Sequence, residues 1–248
     1  MPDPAQAPKY SKPPVVEALF DIKVELPKAI MAADLEALHS QIQDLYPTKK
    51  ARRGLETSLQ FKEGEPPSTE SRDLGISGYL FWSKDEEQLV QFRLDGFSFN
   101  RLKPYKKWQE RLPEAQRLWN IYATALKPIL ATRVALRYIN QFNFTEGRAD
   151  QYLNFLPPIE TDKMGSLSQF FSRTVINLPE SDATAILTQG SDPSLQTPSS
   201  LLLDIDVFSN VQLKPDSGQL WDLLLSLRNQ ANGIFEESVT AKAKELFK

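Results

Sequence analysis

The chain has no cysteine and one histidine in 248 residues. The first absence removes disulfides, thiolate metal sites, iron–sulfur clusters and cysteine nucleophiles. The second removes most histidine chemistry, because a lone imidazole has neither a partner nucleophile nor a co-ligand. That residue, His39, follows a helical pattern whose apolar positions are Leu35, Leu38, Ile42 and Leu45. It falls beside this stripe, so it is expected on a solvent-side flank. Glycine is scarce at 10 residues, and neither Gly-x-Gly-x-x-Gly nor a Walker-type lysine motif is present, which disfavours those nucleotide-cofactor folds. No apolar run approaches the roughly 20 residues of a membrane helix. The net charge of -3 provides no global basic field for nucleic acid. The opening 1–12, rich in Pro, Ala and Lys, reads as a flexible tail, neither signal peptide nor anchor. A cytoplasmic protein without a cofactor or a membrane partner is expected.

What is present is strand-like alternation. From Val15 to Leu26, the residues Val16, Ala18, Phe20, Ile22, Val24 and Leu26 share one face. Glu17, Asp21, Lys23 and Glu25 lie on the other with Leu19. The His39 helix follows, and further strands are predicted at 55–61, 76–82, 88–94 and 97–102, with 64–73 as a loop. Pro113 fits the first turn of a helix running to Leu126. The pattern then restarts: a long strand at 129–144, a short helix at 150–155, strands at 170–178, 183–188 and 201–208, and a long amphipathic helix at 217–247 weakened by Gly233.

This order predicts an α+β fold of two similar halves, 13–127 and 128–248. Each half is strand–helix–strands–helix, with antiparallel sheet covered on one face by long helices. A local match supports the duplication: Asp95–Pro104 and Asp206–Pro215 agree at six of ten positions. If the opening strands of the halves pair antiparallel, Glu17 and Asp21 of one meet Arg133 and Arg137 of the other.

Three features resemble a known group of proteins: the Pro13-Pro14-Val15-Val16-Glu17-Ala18 opening, the central Arg137-Tyr138-Ile139-Asn140, and the closing Ile234-Phe235-Glu236-Glu237-Ser238-Val239-Thr240. Together they resemble an uncharacterised prokaryotic family of roughly 250-residue proteins, sporadically distributed. The resemblance spans essentially the whole chain and implies no catalytic residue. The sporadic distribution implies genes that travel, as defence or toxin–antitoxin components do.

Three constellations carry candidate chemistry. Gly190-Ser191 followed by Asp204-Ile205-Asp206 resembles a nucleotidyltransferase metal site, with both carboxylates on one strand face about 7 Å apart along the backbone. Its bland alternative is two solvent-facing acids. Arg133, Arg137 and Asn140 could hold a small anionic ligand; their alternative is a salt-bridge ladder between the halves and one hydrogen-bonded core amide. Arg101, Lys103, Lys106, Lys107 and Arg111 surround Tyr105 and Trp108, a mixture that suits single-stranded nucleic acid, as does the basic run Lys49, Lys50, Arg52, Arg53. Yet residues 1–127 hold 19 basic and 18 acidic side chains, so any such patch is local. The leading expectation is a non-catalytic binding or protein-interaction module with a protein partner, and a homodimer is compatible with it. A metal-dependent nucleotidyltransferase-like enzyme using Asp204 and Asp206 is the first alternative and nucleic-acid binding the second.

Overall fold

A computed structural model describes residues 10–60, 66, 68–104, 107–156, 169–191 and 199–248. Strands β1 (Val15–Glu25), β2 (Thr48–Gln60), β3 (Ser68–Trp82), β4 (Gln88–Arg93) and β5 (Gly96–Leu102) precede β6 (Leu130–Phe144), β7 (Phe171–Leu178), β8 (Ala183–Ser191) and β9 (Ser199–Leu213). Among the described residues the α-helices are α1 (Ala32–Ala37), α2 (Trp108–Leu126), α3 (Gln219–Ser238) and α4 (Ala241–Glu245). All nine strands form one antiparallel sheet in the order β2-β3-β4-β5-β1-β6-β9-β8-β7. Outward from the central pair β1/β6, each side runs from its half's opening strand to its last strand and then backwards.

The expected α+β architecture with long helices covering a face is therefore wrong. The molecule is mostly one sheet, and its helices are too short to cover it. Strands β3, β6 and β9 have 15 residues each, about 50 Å at the strand rise. The 20 residues of α3 span about 30 Å. Strand β7 and the outer end of β3 remain exposed. The predicted 217–247 helix is divided, though not at Gly233. Val239 turns extended, the backbone around it pairs with 152–154, and Thr240 caps α4 by accepting from the Ala243 N–H at 3.2 Å. Among the described residues between β6 and β7, a three-residue 3-10 turn, Ala149–Gln151, stands where the short helix at 150–155 was expected; 157–168 lie outside the described residues.

Alternation sorts the sheet cleanly into two faces. Ala18, Phe20, Ile22 and Val24 on β1 join Phe97 and Phe99, Val134 and Leu136, and Ile205 and Val207 in one core. Trp119 and Tyr122 of α2 pack on Phe97, and Tyr122 also on Phe92. Two further bonds tie α2 down: Tyr122 donates to the Arg93 carbonyl at 2.8 Å and Trp119 to the Pro215 carbonyl at 3.1 Å. Leu220, Leu224, Leu227 and Ala231 of α3 are buried in the same core. Asp34 accepts the Met31 N–H at 2.7 Å, which starts α1 as its position suggests.

Several local expectations change. The loop predicted at 64–73 is strand from Ser68 onward, paired with the outer end of β2; 64, 65 and 67 lie outside the described residues. Helix α2 begins at Trp108, with Pro113 inside it. His39 is half-buried at the edge of the stripe. Its ring stacks on Phe81 at 5.0 Å, and its Nε2 lies 2.9 Å from the Tyr46 carbonyl. Tyr10 packs edge-on against Phe235 and Phe247, and Lys12 donates to the Phe247 carbonyl. Tyr10 and Lys12 of the expected tail are thus held on the fold, and 1–9 lie outside the described residues.

The six-of-ten match does not mark equivalent positions. Phe97 points into the core and Ser98 away from it, whereas Phe208 points away and Ser209 inward, because Phe97 pairs with Ile22 but Phe208 with Ala135. The two copies are one residue out of phase, which exchanges the faces of every side chain.

Gly96 is a test of this geometry. Its φ is +152°, and an added Cβ would lie 2.3 Å from the Ile22 carbonyl oxygen and 3.0 Å from Arg93 Nη2. Gly96→Ala is expected to destabilise by about 2 kcal/mol or more, measured as a fall in the urea midpoint at constant slope.

Candidate functional site

The face of the sheet opposite the aromatic core carries a strip of charged side chains across its centre. Arg93 on β4 donates to Asp21 on β1 at 2.8 Å, to Ser98 at 3.1 Å and to Asp95 at 3.0 Å. On the far side of Asp21, Arg133 of β6 reaches its other oxygen at 3.4 Å and Asp206 of β9 at 3.3 Å. Arg133 also lies over the Phe208 ring at 4.2 Å. One turn of the pleat along, Arg137 grips Asp204 through two bonds, 2.8 and 2.5 Å. Glu17 accepts from Asn100.

Local sequence explains how Arg93 reaches so far. Its register neighbours are Gly78 on β3 and Gly96 on β5. An added Cβ at Gly78 would stand 2.9 Å from the Arg93 Cα. With no side chain on either flank, the guanidinium lies across β5 to Asp21. The Arg93 side chain is 9% exposed and that of Asp21 13%, so each is held in place by the other's charge. Burial opposes the Arg93 charge, but Asp21 and Asp95 outweigh it and its pKa is raised. At Asp206 the balance is reversed. Burial pushes its carboxyl above the ordinary 3.8; Arg133 and Arg137 oppose the rise, and Asp204 and Asp21 add to it.

The strip gathers two constellations that the sequence presents separately. Asp204 and Asp206 do share a strand face, but arginines occupy both. Among the described residues no group of three or more His, Asp or Glu side chains gathers as a metal site. Arg133 meets Asp21 as expected, whereas Arg137 turns to Asp204 on the neighbouring strand. Asn140 is on the opposite, core face, donating to the Leu203 carbonyl at 3.0 Å. Trp108 is buried edge-on against Phe20 at 5.1 Å, with the Arg228 guanidinium over its ring, so it offers no face to a base. Lys103 and Lys107 are exposed; Lys106 lies outside the described residues. Lys49 pairs with Glu36, Arg53 with Asp73, and Arg52 stands 3.9 Å from Asp95. Sequence reasoning missed Arg93 as a member of the strip. Its signal was present: Leu89, Gln91 and Arg93 alternate onto one face, and a glycine opens the next strand.

No family model matches the chain, and the search of curated proteins finds nothing similar to it.

Removing one member of the buried pair leaves its partner charged and poorly solvated. Arg93→Met is expected to cost about 3–5 kcal/mol, and Arg93→Met/Asp21→Leu to recover much of that loss, both by chemical denaturation. The raised Asp206 pKa has the opposite sign. A carboxyl that binds its proton more tightly when folded adds stability below its ordinary value of about 3.8, and that contribution is lost as pH rises through the raised folded value. Compared with Asp206→Asn, the wild-type protein should therefore lose relative stability from about pH 4 upward, read from denaturation midpoints between pH 3 and 7.

Proposed function

We propose that the protein is a non-catalytic binding module that recognises a protein partner over the charged outer face of its sheet, in the cytoplasm. The observation that carries this reading is the pairing of each candidate metal-binding acid with an arginine. Asp204 is held by Arg137 and Asp206 by Arg133, so a cation would have to displace a guanidinium from each carboxylate. Alternating charges fixed on a rigid sheet suit recognition instead, since complementary potentials give specificity and register. Arg137, with 41% of its side chain exposed, is the member of the strip best placed to meet a partner's carboxylate or a small anion. No helix among the described residues is long and apolar enough to cross a membrane. The matching strand order on either side of β1/β6 supports an origin by internal duplication. The burial of Trp108 removes one of the two aromatics on which nucleic-acid binding would rest; the other, Tyr105, lies outside the described residues.

Titration calorimetry with ATP and magnesium or manganese tests the enzymatic alternative. No binding is expected, and Asp204→Asn should lower thermal stability rather than abolish a ligand signal. Metal-dependent nucleotide binding lost in both Asp204→Asn and Asp206→Asn would overturn the reading. Affinity capture of the tagged protein from its native host, read by mass spectrometry, tests the positive side. A stoichiometric partner is expected, its affinity for the purified protein falling roughly tenfold or more with Arg137→Gln.

A further inference from the structure

The two edges of the sheet are built differently. Strand β2 carries Lys49, Lys50, Arg52, Arg53 and Glu56, holds Gly54, and breaks register with β3 twice. Charge and bulges are the usual protection of an edge against pairing with another chain. Strand β7, Phe171–Leu178, has none of this. Its eight residues, FSRTVINL, include one charge, no proline and no glycine, and they pair with β8 without a register shift. Phe171 and Val175 are 73% and 63% exposed. No described strand pairs with its outer side.

The direction of the free backbone groups follows from one bond. The Phe170 carbonyl accepts the Ser191 N–H at 3.1 Å, so Phe170 faces β8. Alternation then turns the N–H and C=O groups of Phe171, Arg173, Val175 and Asn177 outward. We infer that β7 is the self-association edge of this protein: a second copy adds its own β7 antiparallel about a two-fold axis at Thr174, continuing the sheet.

Charge and geometry select a second copy and this register. A two-fold at Arg173 would set like charges directly opposite, which is destabilising. A two-fold at Val175 would bring Phe171 opposite Pro179, which has no N–H to give. At Thr174, Phe171 faces Asn177 of the second copy and Arg173 faces Val175. All the outward backbone groups are then matched, about eight interchain hydrogen bonds, and Phe171 lies diagonal to the second copy's Val175, within reach of an aromatic ring. The pairing uses no residue of the charged strip, so partner recognition there and self-association here fail separately.

Light scattering on size-exclusion fractions should give twice the 28.2 kDa chain mass at micromolar concentration. Val175→Pro removes an outward N–H and leaves the β8 ladder intact, so it should give a monomer with unchanged circular dichroism. Should that variant unfold, Val175→Lys, which keeps the backbone donor and adds an edge charge, gives the same reading. Because the chain has no cysteine, Thr174→Cys introduces a single thiol. The two Cα atoms would face each other about 4.5 Å apart across the axis. Mild oxidation should yield a disulfide-linked dimer on a non-reducing gel, while Asn120→Cys on α2, which leaves β7 pairing intact, gives no cross-link. A monomeric wild-type protein at all concentrations would overturn the inference, including the case in which β7 accepts an extended segment of another protein. So would a dimer that survives both Val175 variants.

Discussion

The sheet depends on one shared carboxylate. Asp21 sits at the centre of the molecule, on the strand where the two halves meet, and takes one guanidinium from each side: Arg93 from the first half and Arg133 from the second. A carboxylate so little exposed is tolerable only if paired and hydrogen-bonded. Both arginines come from strands whose positions are thereby fixed. Arg93 can arrive only across the glycine that opens β5, and Arg133 only if β6 lies beside β1. Arg133 then continues to Asp206, so the register of β9 belongs to the same chain of charges. A slip of one residue in any of these strands would carry a charge into the aromatic core. The hydrophobic effect drives collapse without choosing a register, and the ionic strip supplies that choice.

The aromatic side of the sheet works in the opposite manner. Phe92, Phe97, Trp119 and Tyr122 form a continuous cluster. Their contacts tolerate modest shifts, because dispersion is spread over many atom pairs. What locates α2 is polar: the Tyr122 hydroxyl on the Arg93 carbonyl and the Trp119 indole on Pro215. The first of these acts on the residue whose side chain reaches Asp21. Helix placement and charge network therefore meet at Arg93, one residue seen from both faces of the sheet.

Much of this was legible in the sequence. Period-two alternation located β1 and β6, whose one buried face imposes it directly, but missed 48–54 of β2 and the exposed outer half of β3, where no buried face does. The four-residue spacing of Arg133 and Arg137 against the acids of β1 anticipated the central pairing. Two of the quoted segments are neighbours: Val15 of the opening stands opposite Asn140 of the central one. What was not legible is non-local. Nothing in a one-dimensional pattern says that Arg137 prefers the neighbouring strand's Asp204 to Glu17. Nor does it say that the Asp95–Pro104 and Asp206–Pro215 segments face opposite ways, since phase is set by pairing and not by composition. Helical cover was overestimated for a related reason. Amphipathic periodicity reports that a helix buries one stripe; it does not report how much larger the sheet beneath it is.

The acidic pair shows why a motif on a strand underdetermines chemistry. Asp-x-Asp on an exposed face is the same arrangement whether it waits for a cation or is matched to arginines. The difference lies in the adjacent strand, where Arg137 stands opposite Asp206 but binds Asp204, and Arg133, four residues away, binds Asp206. Each acid is thus taken by one arginine of the antiparallel neighbour, and a ladder of opposite charges is self-satisfied. Placed at the centre of a nine-stranded sheet, it braces the region farthest from both edges. New contacts are then left to what the ladder leaves open: the partly exposed Arg137, and the singly charged strand β7, where backbone donors and acceptors point outward. Rigidity at the centre is what allows an open edge to be presented in one fixed geometry, and so makes strand addition selective rather than a route to aggregation.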